Sequence, residues 1–227
     1  LAAHHQLLDP RNSRGLRPFG TAYHWDMPQA LGQLGGWTVR ENAERFGDYM
    51  GFIARTFGDG LENLVSINEP WCVAWLSHYL GEHAPGLKDL NSAASANHFV
   101  CLGHGLGVQA ARAETAKPIG IVLNFTPGRV ENRSDSNISA LERYEAVTNT
   151  WYLSAVTKGK YPHAALSELE PLLPRNWQRD MHIVRDPIDF IGINYYTTQM
   201  LKAGGQDFPY VEICLLYTSP SPRDKTV

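Results

Sequence analysis

Three short segments of the chain combine hydrogen-bonding side chains with aromatic rings, and each lies at the end of an apolar run. They are Tyr23-His24-Trp25-Asp26-Met27-Pro28-Gln29, Ile67-Asn68-Glu69-Pro70-Trp71 and Gly192-Ile193-Asn194-Tyr195-Tyr196-Thr197. A sugar needs both kinds of group, since its hydroxyls require polar partners and its CH faces require a flat apolar wall. A carboxyl group such as that of Glu69 can also transfer a proton. These segments therefore indicate chemistry on a carbohydrate.

Four apolar runs predict strands, and the amphipathic stretches between them predict helices. The predicted strands are Arg17–His24, Leu64–Ile67, Ile119–Asn124 and Ile188–Tyr195. The predicted helices are Arg40–Phe57, Ala93–Glu114 and Ser139–Val156, with a helix stop at Lys158-Gly159-Lys160-Tyr161-Pro162. Because strands and helices alternate, the sequence predicts an α/β protein whose parallel strands are joined by right-handed crossovers.

The polar residues distinguish between two parallel-sheet folds. Each of four polar residues ends a different predicted strand: His24, Glu69, Asn124 and Asn194. In a (β/α)8 TIM barrel these ends converge on one mouth, where active sites are built. A doubly wound sheet would instead carry a Gly-rich phosphate turn after a strand. The one glycine-rich run, Gly103–Gly107, lies inside a helical pattern. We therefore expect a partial (β/α)8 barrel, because four strands are half of the eight that close one.

Composition excludes several other classes of function. The formal net charge is −3 and Lys and Arg do not cluster, which excludes a basic nucleic-acid-binding surface. No apolar run reaches the roughly 18 residues that span a bilayer. The cysteines Cys72, Cys101 and Cys214 lack disulfide or metal-site spacing and are expected to be small buried hydrophobic residues. We expect no membrane association, no metal and no cofactor, and we assign the chain to the cytoplasm, although residue 1 is Leu and not Met.

Taken in order, these and further segments resemble the family 1 glycoside hydrolases, the β-glucosidase and β-galactosidase group. The series runs through Pro18–Leu31, Gly35–Trp37, Phe46–Tyr49, Asn68–Trp71, Gly81–Gly86, Asn97–Ala111, Gly120–Pro127, Lys158–Pro162 and Pro187–Thr197. The resemblance implies an incomplete catalytic domain over residues 1–205 that holds the third to sixth barrel strands, although residues 1–14 match poorly. Residues 206–227 are expected to be an unmatched tail, and Cys214–Val227 resembles a translated sequencing adaptor.

The resemblance also implies the roles of the site residues. Glu69 is implied as the general acid/base, which protonates the glycosidic oxygen and then acts as a base toward water. His24 and Asn68 are implied to hydrogen-bond the hydroxyls of the glycone, with Trp25 as a wall of its pocket. Trp71 is implied as a platform near the aglycone, but it can also be a core residue. A strand-end glutamate or histidine can likewise have a purely structural role.

The sixth barrel strand supplies two further residues. Side chains alternate along a strand, so Asn194 and Tyr196 should point into the mouth and Tyr195 away from it. The resemblance implies that Tyr196 orients the catalytic nucleophile and that Asn124 is a polar residue near the acid/base. The nucleophile itself, in an (I/V)TENG-type motif of the seventh strand, is missing from the chain. Glu212 is not assigned to that role, since it lacks the Asn-Gly that follows the nucleophile.

The expected activity is therefore hydrolysis of the O-glycosyl bond of terminal β-D-glucosides with retention, in carbohydrate metabolism. Its partner is a small-molecule β-glycoside, and the oligomeric state stays open. Two alternatives stay open as well: a 6-phospho-β-glycosidase, and a catalytically inactive half-barrel that lacks the nucleophile. A myrosinase-like enzyme is disfavoured, because such enzymes carry Gln at the position of Glu69.

Overall fold

The computed structural model describes residues 15–214. Seven strands lie within this range: β1 Phe19–Tyr23, β2 Asn63–Asn68, β3 Ile119–Phe125, β4 Gly128–Val130, β5 Phe190–Tyr195, β6 Gln199–Ala203 and β7 Val211–Cys214. Four of them form one sheet in the order β1-β2-β3-β5, and all neighbours are parallel. The predicted strands are thus confirmed, with ends that differ by one or two residues, and the α/β class with a parallel sheet is confirmed with them.

The helices of the described residues occupy the connections between these strands. They are α1 Gln29–Gln33, α2 Arg40–Phe57, α3 Leu90–Arg112, α4 Asp135–Glu145, α5 Trp151–Lys158, α6 His163–Leu169 and α7 Met181–Val184. The start of α3 is capped by Asp89, whose carboxylate accepts a hydrogen bond from the Ser92 amide at 2.8 Å. Helix α5 ends at the predicted stop, where Gly159 adopts a left-handed backbone with φ 61°.

Two segments of π-helix interrupt this regular pattern. Cys72–Leu76 follows β2, and Ala146–Thr150 separates α4 from α5. The predicted third helix, Ser139–Val156, is therefore three successive segments, because the hydrogen bonds of its middle turn shift by one residue. Single-turn π-helices often occur at functional sites.

The glycine-rich run of α3 serves close packing of helices. A Cβ atom added to Gly107 would lie 2.7 Å from Met50 Cγ of α2. At Gly105 it would lie 2.2 Å from the carbonyl oxygen of Ile183, in α7. Any side chain at Gly105 would thus collide with backbone, so α3 needs glycine there to contact α7. This explains Gly103–Gly107 without a phosphate.

The main core lies between the parallel sheet and its helices. The outer face of the sheet and the inner faces of α2, α3 and α5 contribute its fully buried side chains, which include Met50, Ile67, Ile119, Ile121, Leu123 and Trp151. Burying one such aliphatic side chain contributes about 1.5 to 3 kcal/mol. Within residues 15–214, no helix is long and apolar enough to cross a membrane.

A polar cluster, buried at His98, Asp180 and Tyr161 and exposed at Arg40, connects helical segments of this layer. The Arg40 guanidinium donates to both carboxylate oxygens of Asp180, at 2.7 and 2.8 Å. His98 Nε2 lies 3.0 Å from Asp180 Oδ2, and His98 Nδ1 lies 2.8 Å from the Tyr161 hydroxyl. Burial opposes ionisation of Asp180, but the hydrogen bonds from His98 and Arg40 outweigh it and hold the pKa of that carboxyl well below its usual range.

A second, small sheet was not predicted. Its order is β4-β6-β7, with β6 and β7 antiparallel. Phe208 precedes β7, is buried, and stacks on Trp75 with ring centroids 5.9 Å apart. Part of the predicted tail is therefore packed on the rest of the chain. The domain boundary at residue 205 stays a prediction, and residues 1–14 and 215–227 lie outside the described residues.

Candidate active site

The carboxyl ends of three parallel strands bring the polar residues together. His24 follows β1, Asn68 ends β2, and Asn194 lies in β5. Asn68 Nδ2 lies 3.3 Å from His24 Nε2, and Asn194 Nδ2 donates to Asn68 Oδ1 at 3.2 Å. Asn194 Nδ2 also donates to Glu69 Oε1 at 2.6 Å. Residues from three strands thus form one hydrogen-bonded row, as the convergence of strand ends predicts.

Glu69 has an unusual backbone, which turns its side chain out of the line of the strand. Its φ is +50°, in the left-handed region that few side chains other than glycine adopt. The Glu69 amide donates to the Val122 carbonyl of β3 at 2.8 Å, and the register of β2 on β3 shifts between Val65 and Asn68. This local irregularity places the carboxyl group, which is only 3% exposed, beside Asn194.

Only uncharged groups donate to the Glu69 carboxylate in the described part of the chain. In addition to Asn194, Oε1 accepts from the Tyr196 hydroxyl at 3.3 Å, and Oε2 accepts from the Cys72 thiol at 3.3 Å. None of the ion pairs within residues 15–214 involves Glu69. The negative charge of Glu69 raises the pKa of the Tyr196 phenol. Tyr196 therefore stays protonated and able to donate.

Trp25 is fixed by the backbone of the neighbouring strand. Its indole Nε1 donates to the Asn68 carbonyl at 2.9 Å, and its φ is +78°. The ring lies between two imidazoles, with centroids 5.2 Å from His24 and 5.1 Å from His83. A rigid aromatic plane thus stands next to the row of amides.

The fifth strand presents its side chains as alternation predicts. Asn194 and Tyr196 both contact Glu69, whereas the Tyr195 hydroxyl lies 2.9 Å from Thr198 Oγ1. Asn124 is the register partner of Asn194 on β3 and is 9% exposed. Among the described residues, no hydrogen bond connects the Asn124 side chain to Glu69. Asn124 therefore lies beside the row without joining it.

The sequence and the fold of this chain have counterparts in known proteins. The model of the family described as Glycosyl hydrolase family 1 matches residues 1–212. The chain belongs to glycosyl hydrolase family 1. The match also includes residues 1–14, which resemble the family poorly, and residues 206–212, which were expected to belong to an unmatched tail.

Curated relatives and solved structures of family 1 are about twice as long as this chain. The β-glucosidase of Agrobacterium sp. is 34% identical over 220 residues, which are 96% of this chain and 48% of that protein. β-Glucosidase A of Thermotoga maritima is 36% identical over 202 residues, 88% of this chain and 45% of the relative. A structure of the family 1 β-glucosidase from Thermotoga maritima superposes with a TM-score of 0.90 at 32% identity, covering 93% of this chain and 48% of the other. Further structures of that enzyme contain isofagomine lactam or azafagomine.

A large cavity adjoins the row of strand-end residues. Its volume is about 740 Å³, and Trp71, Tyr196, Val147 and Phe208 are among the residues that line it. Both π-helical segments, or residues adjacent to them, contribute to the lining. Trp71 also packs against the main core, so it serves as a core residue and as a wall of the cavity.

Two features of the site were missed from the sequence. One is the cavity, since Val147 lies in a π-helical turn where a regular helix was predicted, and Phe208 lies in the predicted tail. The other is the contact of Cys72 with Glu69, although Cys72 and Cys101 are buried as expected. The signal for Cys72 was its place three residues after Glu69, because residues at that spacing meet on one face of a helical turn.

No second carboxylate accompanies Glu69 in the described part of the chain. Glu212 forms an ion pair with Lys202 at 2.6 Å in the β6–β7 hairpin, where it is half-exposed. Within residues 15–214 no group of three or more His, Cys, Asp or Glu side chains is arranged to hold a metal ion. His98 and His104 contact different partners, Asp180 and Ser66.

Proposed function

We propose that this chain is the proton-donating half of a retaining β-glycosidase that hydrolyses terminal β-D-glucosides, with Glu69 as the general acid/base. One observation carries the proposal: Glu69 is a buried carboxyl group at converging strand ends whose hydrogen-bond donors are all neutral. A cation beside it would hold it ionised, as Arg40 holds Asp180. Within residues 15–214 no ion pair fixes the charge of Glu69, which is what the role of general acid/base requires.

The four parallel strands are proposed to be the third to sixth strands of a (β/α)8 barrel. The superposition on family 1 enzymes over about half their length supports this assignment. A retaining glycosidase needs a second carboxylate about 5 to 5.5 Å from the first. We propose that it lies in the part of the family 1 fold that this chain does not span. The 227-residue chain alone is therefore expected to give no turnover.

The proposed reaction has two steps, and Glu69 takes part in both. In the first, protonated Glu69 gives its proton to the glycosidic oxygen while the second carboxylate attacks the anomeric carbon, so the aglycone leaves as an alcohol. In the second, ionised Glu69 takes a proton from water, and the resulting hydroxide displaces the carboxylate from the anomeric carbon. Glu69 ends the cycle protonated, as it began.

The remaining residues of the row are proposed to hold the glycone. His24, Asn68 and Asn194 offer ring nitrogen and amide groups to sugar hydroxyls, and contacts that strengthen in the transition state raise the rate. The plane of Trp25 provides an apolar wall for a CH face of the sugar. Isofagomine lactam and azafagomine, bound by the Thermotoga maritima enzyme, are sugar-like inhibitors and agree with this substrate class.

The cavity beyond Trp71 is proposed to take the aglycone. It adjoins Tyr196, which contacts Glu69, so a leaving group seated there would have its glycosidic oxygen near the proton donor. Its lining is largely aromatic and aliphatic, which suits an aryl or alkyl group better than a charged one.

The test is the substitution Glu69→Gln in a protein of full family length that contains this chain. With an alkyl β-glucoside, whose leaving group needs a proton, kcat/KM should fall by about 10² to 10⁴-fold. With 2,4-dinitrophenyl β-glucoside the burst of the first step should remain, since that leaving group departs without protonation. Equal losses with both substrates would contradict the assignment.

Glu212→Gln provides a matched control, because Glu212 is a glutamate paired with Lys202 away from the row. It should leave both rates unchanged. The chain alone should be assayed in parallel with an aryl β-glucoside. Robust turnover by the chain alone would show that the second carboxylate lies within it, against the proposal.

A further inference from the structure

The two oxygens of the Glu69 carboxyl group have different neighbours. Oε1 accepts from Asn194 Nδ2 at 2.6 Å and from the Tyr196 hydroxyl at 3.3 Å. In the described part of the chain, Oε2 has a single hydrogen-bond partner, the Cys72 thiol at 3.3 Å. A general acid transfers its proton from one particular oxygen, so this asymmetry decides which oxygen that is.

Oε1 can take the proton only if one of its two donors stops donating to it. Each carboxyl oxygen offers two acceptor positions, and both positions on Oε1 face donors. Asn194 cannot turn its amide to offer an acceptor instead, because the same Nδ2 also donates to Asn68 Oδ1 at 3.2 Å. A proton on Oε1 would therefore face the Asn194 N–H, or would require the Tyr196 hydroxyl to turn from donor to acceptor. Oε2 has a free position, so the proton belongs there.

The thiol of Cys72 suits an oxygen that gains and loses a proton. A thiol is a weak donor and a weak acceptor, and it rotates about its C–S bond. It donates to Oε2 while Glu69 is ionised, and it releases that oxygen at little cost when the proton must reach the substrate. Burial and then the charge of Glu69 raise the pKa of the Cys72 thiol, so no thiolate forms beside the carboxylate.

The backbone fixes the distance between the two groups. The Cys72 amide donates to the Glu69 carbonyl at 3.0 Å, so the two residues close one helical turn. The sulfur is therefore held on Oε2 by local structure, whatever occupies the rest of the site.

We infer that Glu69 carries its transferable proton on Oε2 and that Cys72 is the positioning residue for that oxygen. This inference rests on the proposed function, since it concerns the proton that Glu69 would transfer. Removing the thiol donor disfavours the ionised form of Glu69, and replacing it with a hydroxyl favours that form more strongly. The two changes should therefore act in opposite directions on the pH dependence.

The first experiment uses Cys72→Ala and Cys72→Ser in a protein of full family length. The alkaline limb of kcat/KM for an alkyl β-glucoside should move up by about 0.5 to 1 pH unit with Ala and down by a similar amount with Ser, as expected for one weak hydrogen bond. The Ala variant should also lose about three- to tenfold in kcat/KM with this substrate and little with 2,4-dinitrophenyl β-glucoside. The inference would be overturned if the alkaline limb stayed in place in both variants, or if it moved in the same direction in both.

Cys101→Ser is the matched control. Cys101 is also buried but lies in α3, without a hydrogen bond to Glu69. Its substitution should leave the alkaline limb in place. A shift as large as that of the Cys72 variants would mean that general loosening of the core moves the limb, and would refute a specific role for Cys72.

The second experiment does not depend on turnover. The S–H stretching band of Cys72, assigned in infrared spectra by its loss in Cys72→Ala, should shift as Glu69 titrates and stay constant in Glu69→Gln. A constant band in the unsubstituted protein would overturn the inference even if the enzyme is active. Conversely, if the band shifts in a protein that hydrolyses no β-glucoside, the contact between Cys72 and Glu69 is supported and the proposed function is rejected.

Discussion

Two polar clusters of this chain combine similar residue types but differ in the charge of the groups around their carboxylates. Between the helices, Asp180 is joined to His98, which in turn contacts Tyr161. At the strand ends, Glu69 contacts Tyr196, and the row leads through Asn68 to His24. The first cluster adds a guanidinium, that of Arg40, on both carboxylate oxygens. The second adds only amides and a thiol.

The difference shows what separates a structural carboxylate from one suited to proton transfer. Asp180 has a cation, a lowered pKa and a buried imidazole beside it, so it stays ionised across the physiological range. Glu69 has neutral donors and lies next to exposed groups, among them Tyr196 at 74% exposure. Residue types alone would not distinguish them, whereas the charge of the partners and access to ligand do.

The largest effect is expected when the cluster of Arg40, His98, Tyr161 and Asp180 is broken. Asp180→Ala leaves the buried His98 without its carboxylate partner and Arg40 with Glu44 alone, and the free energy of unfolding should fall by about 2 to 4 kcal/mol. The matched change at the strand ends, Glu69→Gln, places a neutral amide among neutral donors. It should alter the free energy of unfolding by about 1 kcal/mol or less. Urea unfolding of both variants measures the difference. Similar losses would mean that both clusters are structural.

An intermediate effect concerns pH and the buried His104. Burial lowers the pKa of His104 to about 4, whereas an unfolded histidine titrates near about 6.5. Between these values the unfolded chain takes up a proton that the folded chain does not, so stability falls as the pH is lowered from about 6.5 to 4. The total loss from this group is about 3 kcal/mol at most.

The check is urea unfolding at a series of pH values. His104→Gln should flatten the pH dependence across that range, at the cost of a lower stability at neutral pH. His24→Gln, at the exposed histidine of the strand ends, should leave the dependence in place. If His24→Gln flattened the pH dependence of stability instead, the assignment of that dependence to the buried His104 would be wrong.

The smallest expected effect compares one tyrosine from each cluster. Tyr161→Phe removes a buried hydroxyl at 2.8 Å from His98 Nδ1 and should lower the free energy of unfolding by about 1 to 2 kcal/mol. Tyr196→Phe removes an exposed hydroxyl and should change it by less than about 0.5 kcal/mol. Thermal or urea unfolding of the two variants measures both changes. A larger loss for Tyr196→Phe than for Tyr161→Phe would contradict the contrast between the two clusters.

The sequence predicted the parts of the site that depend on strand periodicity. Alternation of apolar and polar residues placed His24, Glu69 and Asn194 at strand ends, and parallel strands then bring such ends together. The same alternation placed Asn194 and Tyr196 on one side of β5. These relations hold because the period of a strand is a property of the local chain.

The orientation of the side chains could not be predicted in this way. The left-handed backbones of Trp25 and Glu69 accompany bonds to Asn68 and Val122, which lie 43 and 53 residues further along the chain. Tertiary hydrogen bonds of this kind leave no local pattern. The π-helical segments and β7 were missed for a related reason, since a shift of one hydrogen bond or the pairing of a short edge strand depends on neighbours distant in sequence.

The left-handed turn at Glu69 has a consequence for how the full site would be assembled. The groups that orient the carboxyl group lie between β2 and Tyr196, one residue past β5: the bond to Val122, the turn to Cys72, the Asn194 amide and the Tyr196 hydroxyl. The orientation of the Glu69 carboxyl group is thus determined by contacts within this chain. A segment that supplies the second carboxylate would dock onto a donor already set in position. It would need to deliver one charged group to the right distance, and the donor would not have to be realigned.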